Sequence, residues 1–182
     1  ARHATFVVPG EASSGTPLDP ALVAPVLGLA STDLAGLAPR RAGHGVDFLM
    51  VELAGLEALG KARLADMATW PKALAAAGLE NGVFLFTRAT DDGSIRARMF
   101  APFFGIPEDP ATGAAAAALA GLLAATAADA GFDGRWRIVQ GVEMGRPSTI
   151  DVTATKRAGR VEPVTVAGSA VLLTEGRLYL GD

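Results

Sequence analysis

The sequence predicts an α+β fold in which a mixed, barrel-like β-sheet wraps around one long central helix, and three observations predict it. The first is EDPATGAAAAALAGLLAATAADAG, residues 108–131, where two carboxylates, a proline and a glycine precede a long uncharged run of mostly tiny side chains. A helix apolar on every face but lined with alanine suits the middle of a protein, where other elements must approach closely. The second is that strand-like segments both precede and follow this run. The third is that no GxGxxG fingerprint, GxxxxGK[ST] loop or repeated βαβ period occurs, which argues against a doubly wound α/β sheet.

The elements follow in chain order. Residues 18–37, LDPALVAPVLGLASTDLAGL, show helix-type spacing, with Asp19 and Ser31 as N-caps of two short helices and Pro25 limiting or kinking the first. FLMVEL (48–53) reads as a strand, LADMATWPKALAAAG (64–78) as a helix closed by Gly78, and GVFLFTR (82–88) as a second strand. The turn Asp91-Asp92-Gly93 makes a hairpin with SIRARMFAP, where Ile95, Ala97 and Met99 alternate with Arg96, Arg98 and Phe100. After the helix, expected over residues 112–128, alternation returns in RWRIVQG (135–141) and STIDVTAT (148–155). RVEPVTVAG, SAVLLTEG and RLYL complete the strands.

Composition removes several kinds of function. Half of the 182 residues are apolar, 19% are charged, and the formal net charge is −3, so no basic stripe exists for a phosphate backbone and nucleic acid is not an expected partner. There is no cysteine and there are only two histidines, His3 and His44, which excludes thiol nucleophiles, disulfides and sulfur- or histidine-rich metal sites. The alanine run is long enough to span a bilayer, roughly 27 Å as a helix, but alanine contributes little to insertion and no aromatic or basic girdle flanks it. ARHATFVVPGEASSG lacks the apolar core of a signal peptide, and the expectation is a cytoplasmic protein with no membrane partner.

The start of the alanine helix carries the chemistry. Its first N–H groups lack intrahelical partners and lie at the positive end of the dipole, which makes an anion site. Pro110 needs no N–H donor there, Gly113 removes a side chain where a ligand needs the backbone, and Thr112 adds a hydroxyl. Glu108 and Asp109 stand immediately upstream. Either carboxylate can cap the helix or transfer a proton, and on the residues alone capping is the commoner role.

RMFAPFFGIPEDPATGAAAAAL closely resembles the R-x-F-x-P-x-x-G-I-x-E-D-P-A-T-G-[SA]-A signature of the phenazine-biosynthesis PhzF-like family, which has the diaminopimelate epimerase-like fold. GHGVDFLMVEL (43–53) is similar to the family's S-T-G-x-P-F-L-x-V-P-L segment, QGVEMGRPSTIDV (140–152) to its Q-G-x-x-M-G-R-P-S segment, and VAGSAVLLTEGRLYL to its closing strands. Family members have two similar lobes with the active site between two helix N-termini, and the chain resembles the second lobe. Residues 1–10 resemble the exit strand of the first, and residues 11–182 the lobe itself.

The resemblance implies an isomerase that needs no cofactor and no metal and moves a proton between carbons of a small carboxylate-bearing substrate. It makes Asp109 the acid or proton-relay residue, and it places the general-base glutamate in the first lobe, outside this chain. Thr112, Gly113 and Ala114 would bind the substrate carboxylate. Ala114 replaces the commoner serine, so a hydroxyl is lost while the backbone N–H groups remain. The chain alone is expected to be inactive, and to pair with the missing lobe, with another chain or as a homodimer. The contrasting expectation is a non-catalytic lobe that binds a small anion or a partner chain.

His44 and Gly45 occupy the position of a small hydroxyl residue and glycine in the first family segment. For His44 a satisfied loop histidine and a substrate contact both fit, while Gly45 reports a backbone need. Glu143 and Arg146 read as a charged turn, Trp70 and Trp136 as packing residues, and Arg96 and Arg98 as one solvated sheet face.

Overall fold

The computed structural model describes residues 2–64, 70, 75, 78, 82–177 and 179. Among the described residues eleven strands form one sheet: β1 (Arg2–Val8), β2 (Ser13–Ser14), β3 (Arg40–His44), β4 (Val46–Glu52), β5 (Val83–Thr87), β6 (Ile95–Ala101), β7 (Ile106–Asp109), β8 (Phe132–Gln140), β9 (Ser148–Arg157), β10 (Arg160–Val161) and β11 (Val164–Ala170). Their order is β1-β11-β9-β8-β6-β5-β4-β3-β2, with β10 on β9 and β7 on β6. The β4–β5 and β6–β8 pairs are parallel and the rest antiparallel, so the sheet is mixed, as expected. Among the described residues, helices α1 (Pro20–Val23), α2 (Leu56–Lys61) and α3 (Gly113–Thr126) can be given bounds.

The sheet curls around α3, which touches β2, β3, β4, β8, β9, β10 and β11. Every residue of α3 from 115 to 124 is buried, including Ala115–Ala118 at 0% exposure. This is the physical reason for the alanine run. Facing side chains such as Phe48, Met50, Phe84, Phe86, Ile138 and Val152 come from strands on several sides of the helix, and only a methyl-sized helical surface leaves room for all of them. The helix is shorter than the expected 112–128, because Ala127 takes an extended backbone and its N–H closes the last turn on Leu123 and Ala124. Its carbonyl end is neutralised by Lys156, whose Nζ donates to Ala125 O at 3.3 Å and Ala127 O at 2.7 Å.

The other face of β4, β5 and β6 packs a second core. Leu49, Val51, Val83, Leu85 and Phe100 meet Val23, Leu27, Leu59 and Trp70, which come from the segment around α1, the segment around α2, and Trp70 itself. Both faces of these strands are therefore covered, which is why FLMVEL and GVFLFTR are continuous apolar runs and not alternating ones. Asp19 caps α1 as expected, accepting from Ala21 N at 2.9 Å, and Pro25 opens a separate 3-10 turn that ends it. Ser31 is not an N-cap. It is the first residue of a 3-10 turn, whose preceding N–H, that of Ala30, is taken by Asp33 instead. The expected helix over 64–78 lies almost wholly outside the described residues. Residues 171–177, expected to continue as strand, have no partner strand among the described residues beyond the Arg2↔Ala170 pair, and Leu173 is 87% exposed.

Arg98 corrects the expectation of a solvated arginine face. Alternation places it opposite Ala97 and Met99, but that side of β6 is under the second core, and Arg98 is only 8% exposed. Its guanidinium forms a two-pronged pair with Glu108 of β7 (2.8 and 2.9 Å) and donates to the carbonyls of Leu59 and Ala62 at 2.9 and 2.7 Å. It also lies 4.9 Å from the Phe100 ring centre. Arg96 is half-buried and pairs with Glu143 at 2.7 Å, so Glu143 of the β8–β9 turn reaches β6 and not Arg146.

Ala117→Leu should cost about 1–3 kcal/mol or more of unfolding free energy in urea, because the enclosed helix has no space for the added carbons, whereas Ala125→Leu on the exposed end should change little. Arg98→Met should cost about 3–5 kcal/mol by stranding Glu108, and adding Glu108→Gln should recover about half of it. Equal costs for the single and double variants would show that the charge of Glu108 is not what Arg98 offsets.

Candidate active site

β5 occupies one edge of β6 from Arg96 to Phe100, so β7 and β8 share the other. There they lie end to end: Ile95–Ala97 pair with Ile138–Gln140 of β8, and Met99 and Ala101 pair with β7. The facing ends are Gln140 and Asp109, and the chain leaving β7 turns through Pro110 and Ala111 directly into α3. Tight backbone packing fixes this junction. Gly141, at φ +80°, presses against Pro110 and the Arg146 carbonyl so closely that a Cβ would lie 2.8 Å from Pro110 O and 2.4 Å from Arg146 O. Only glycine suits both the space and the backbone.

A closed set of hydrogen bonds ties these ends to the helix. Thr112 Oγ1 donates to Asp109 Oδ2 at 2.6 Å. Gln140, fully buried, accepts from Thr112 N at 3.1 Å through Oε1, and its Nε2 donates to Asp109 O at 2.7 Å and to Thr112 Oγ1 at 3.0 Å. Asp109 is half-buried, and among the described residues its carboxylate accepts from the Thr112 hydroxyl and from no backbone N–H. Among the described residues the N–H groups of Gly113, Ala114 and Ala115 have no acceptor, and the first helical bond is Ala116 N to Thr112 O. An aspartate held in place, a hydroxyl and three aligned donors therefore meet within one turn, an arrangement able to hold an anion beside a proton-transfer group.

Beside it opens a depression of about 820 Å³ lined by Ala111 and Gly113 on the helix side and by His3, Arg137, Ser148 and Asp151 on the strands. Arg137 hydrogen-bonds Asp151 at 2.9 and 3.2 Å and holds its carboxyl below the usual carboxylate range, with a smaller pull in the same direction from His3. Asp109 does not line this depression.

The structure brings Asp109, Thr112, Gly113 and Ala114 together and leaves His44 and Gly45 elsewhere. His44 is not a loop residue. It ends β3 at 3% exposure, its Nε2 sits 3.1 Å from Val8 O, and its Nδ1 has no partner among the described residues. It lies against Gly121, about 12 Å along the helix from Gly113. Gly45 has φ +90°, as its turn into β4 requires. Gln140 stood in a recognised segment, but no local pattern marks an amide whose partners are on two other elements. Among the described residues no three His, Cys, Asp or Glu side chains converge to hold a metal ion, and no helix is long and apolar enough to cross a membrane.

The chain matches the model of the phenazine biosynthesis-like protein family, PhzC-PhzF, over residues 19–176. An uncharacterized isomerase of Mesorhizobium japonicum is 34% identical over 170 residues, covering 89% of this chain and 55% of that protein. Trans-2,3-dihydro-3-hydroxyanthranilate isomerase of Pseudomonas aeruginosa is 42% identical over 85 residues, 47% of this chain and 30% of that protein. This chain thus spans about half the length, or less, of these relatives. A solved structure of a predicted epimerase from Pseudomonas aeruginosa superposes with a TM-score of 0.70 at 28% identity, covering 98% of this chain and 59% of that one. A PhzF-family protein of Bacillus anthracis, at 20% identity, shares the fold with a TM-score of 0.79 over 98% of this chain and 61% of that one. With the family model matched over most of its length and the signature residues gathered at the start of α3, the chain belongs to the phenazine biosynthesis-like family.

Proposed function

We propose that this chain carries the aspartate side of a cytoplasmic, cofactor-independent isomerase that moves a proton between carbons of a small carboxylate-bearing substrate. The observation that carries the reading is the fixed place of Asp109 against the first turn of α3, beside N–H groups with no acceptor among the described residues. The N–H groups of Gly113 and Ala114 orient the substrate carboxylate, and Asp109 gives or relays the proton. Membership of a family whose relatives are named isomerases supports the same reaction class.

A proton moved between carbons needs an acid and a base on different sides of the reacting atoms. Glu108 is already paired with Arg98 on the far face of the sheet, so it does not serve as the second group. In this reading the base is the glutamate that the family resemblance places in a first lobe, supplied from outside these 182 residues by that lobe or by another chain. Phe103, Phe104 and Ile106, between 45% and 60% exposed just before Asp109, support a partner surface at this end, with a homodimer as one form of it. A second reading, an anion-binding lobe without catalysis, rests on the three N–H groups alone, which hold an anion whatever Asp109 does.

Deuterium incorporation from solvent into candidate amino and hydroxy acids separates the two. The 182-residue chain alone should show background exchange. A two-lobed form should exchange, and Asp109→Asn should lower that rate by about 10²–10⁴-fold with almost unchanged melting. Robust exchange by the chain alone overturns the external base, and retained exchange in the Asn variant removes Asp109 from the mechanism. Sedimentation at several concentrations checks the partner surface: a chain that stays monomeric and binds no hydrophobic dye counts against it.

A further inference from the structure

We propose that Gln140 is a positioning residue that sets the direction of the Thr112 hydroxyl proton and thereby decides which oxygen Asp109 offers to a substrate. The inference deepens the reading above, since its catalytic meaning rests on Asp109 being the proton-transfer group.

The direction follows from donor and acceptor bookkeeping. The Gln140 amide faces two backbone groups of fixed character, the Thr112 N–H, which only donates, and the Asp109 carbonyl, which only accepts. These fix the amide, because the flipped orientation would set N–H against N–H and oxygen against oxygen. Nε2 thus faces the Asp109 carbonyl, and its second proton goes to Thr112 Oγ1 at 3.0 Å. A hydroxyl approached by an N–H must use its own hydrogen elsewhere, and the acceptor in reach is Asp109 Oδ2 at 2.6 Å. The chain of donors runs one way, from Gln140 to Thr112 to Asp109. Oδ2 then has one lone pair committed to the hydroxyl, and Oδ1, with no protein partner among the described residues, is the oxygen with both lone pairs open to substrate. Gln140 is at 0% exposure, so water does not compete for this amide, and the direction is set by the protein alone.

A bracket that merely held the backbone would need only the bonds to Thr112 N and Asp109 O. The two roles separate by nuclear magnetic resonance on the isotope-labelled 182-residue chain, following the two Gln140 amide protons and the Thr112 hydroxyl proton. In the unmodified chain all three should be protected from exchange with water. Thr112→Val should release one Gln140 amide proton, with a shift change and exchange faster by at least about tenfold, leave the other protected, and be rescued by Thr112→Ser. Gln140→Met should speed exchange of the Thr112 hydroxyl proton by a similar factor, with unchanged Leu119 methyl signals reporting an intact core. If Gln140→Met does not fold, the Val and Ser variants read the same bond from its other side. Both amide protons unmoved in Thr112→Val, or a Thr112 hydroxyl still protected in Gln140→Met, overturns the proposal. No readout involves turnover, so the two readings fail separately. Directed protons with Asp109-independent solvent exchange in the two-lobed form remove the isomerase role alone, and undirected protons with Asp109-dependent exchange remove the Gln140 role alone.

Discussion

The fold depends on the enclosure of one helix. α3 has no polar face, so every side of its buried stretch needs an apolar neighbour, and its alanines let the backbone of the helix and the strands approach to a methyl's thickness. A flat sheet can cover one side of such a helix. Covering the rest requires the sheet to curl, and the strands that touch α3 run from β2 near one edge to β11 near the other. Enclosure also dictates how the helix ends are treated. Lys156 supplies a cation to the carbonyl end, while the N–H end emerges where β7 stops and, among the described residues, has no acceptor at Gly113, Ala114 or Ala115. The packing that stabilises the fold thus leaves one dipole end without an acceptor among the described residues.

β6 converts this enclosure into a site. Its edge carries β8 and β7 in succession, so the end of one strand meets the end of the other, and the chain must enter the helix from that meeting point. Arg98 anchors the arrangement from behind, joining β6, the end of α2 and Glu108. The Arg98–Glu108 pair and the Asp109–Thr112–Gln140 set therefore share strands but use different faces of them.

Much of this was legible in the sequence because period and composition report which surfaces are covered. The alanine run and the apolar strands around it implied an enclosed helix, and the ends of the β5–β6 hairpin strands were readable within a residue, as with residues 82–88 against Val83–Thr87, whereas β8 starts three residues before the expected 135 and β3 was not expected at all. Arg98 was misread because alternation tells which face a side chain takes and not whether a distant segment covers that face. Ser31 was misread because a serine ahead of an apolar stretch is equally compatible with opening a 3-10 turn. His44 resisted assignment for a similar reason: its neighbour, Gly121, lies 77 positions along the chain and only the curl of the sheet brings them together. Gln140 was hidden because its partners belong to two elements that meet end to end.

The last ambiguity, between two adjacent carboxylates, is resolved by the strand they share. Successive side chains on a strand point to opposite faces. Glu108 therefore goes to the face of the second core, where Arg98 neutralises it, and Asp109 goes to the face of α3, where Thr112 and Gln140 hold it. A shift of one residue would exchange these fates and put the paired carboxylate at the helix start. The register is held by Met99↔Asp109, by the irregularity between Met99 and Ala101, and by the fit of Gly141 on Pro110. The chemical distinction between Glu108 and Asp109 thus comes from backbone register, and the buried Arg98 pair is what makes that register costly to change, since a slip would strand both Arg98 and Glu108 without their partner.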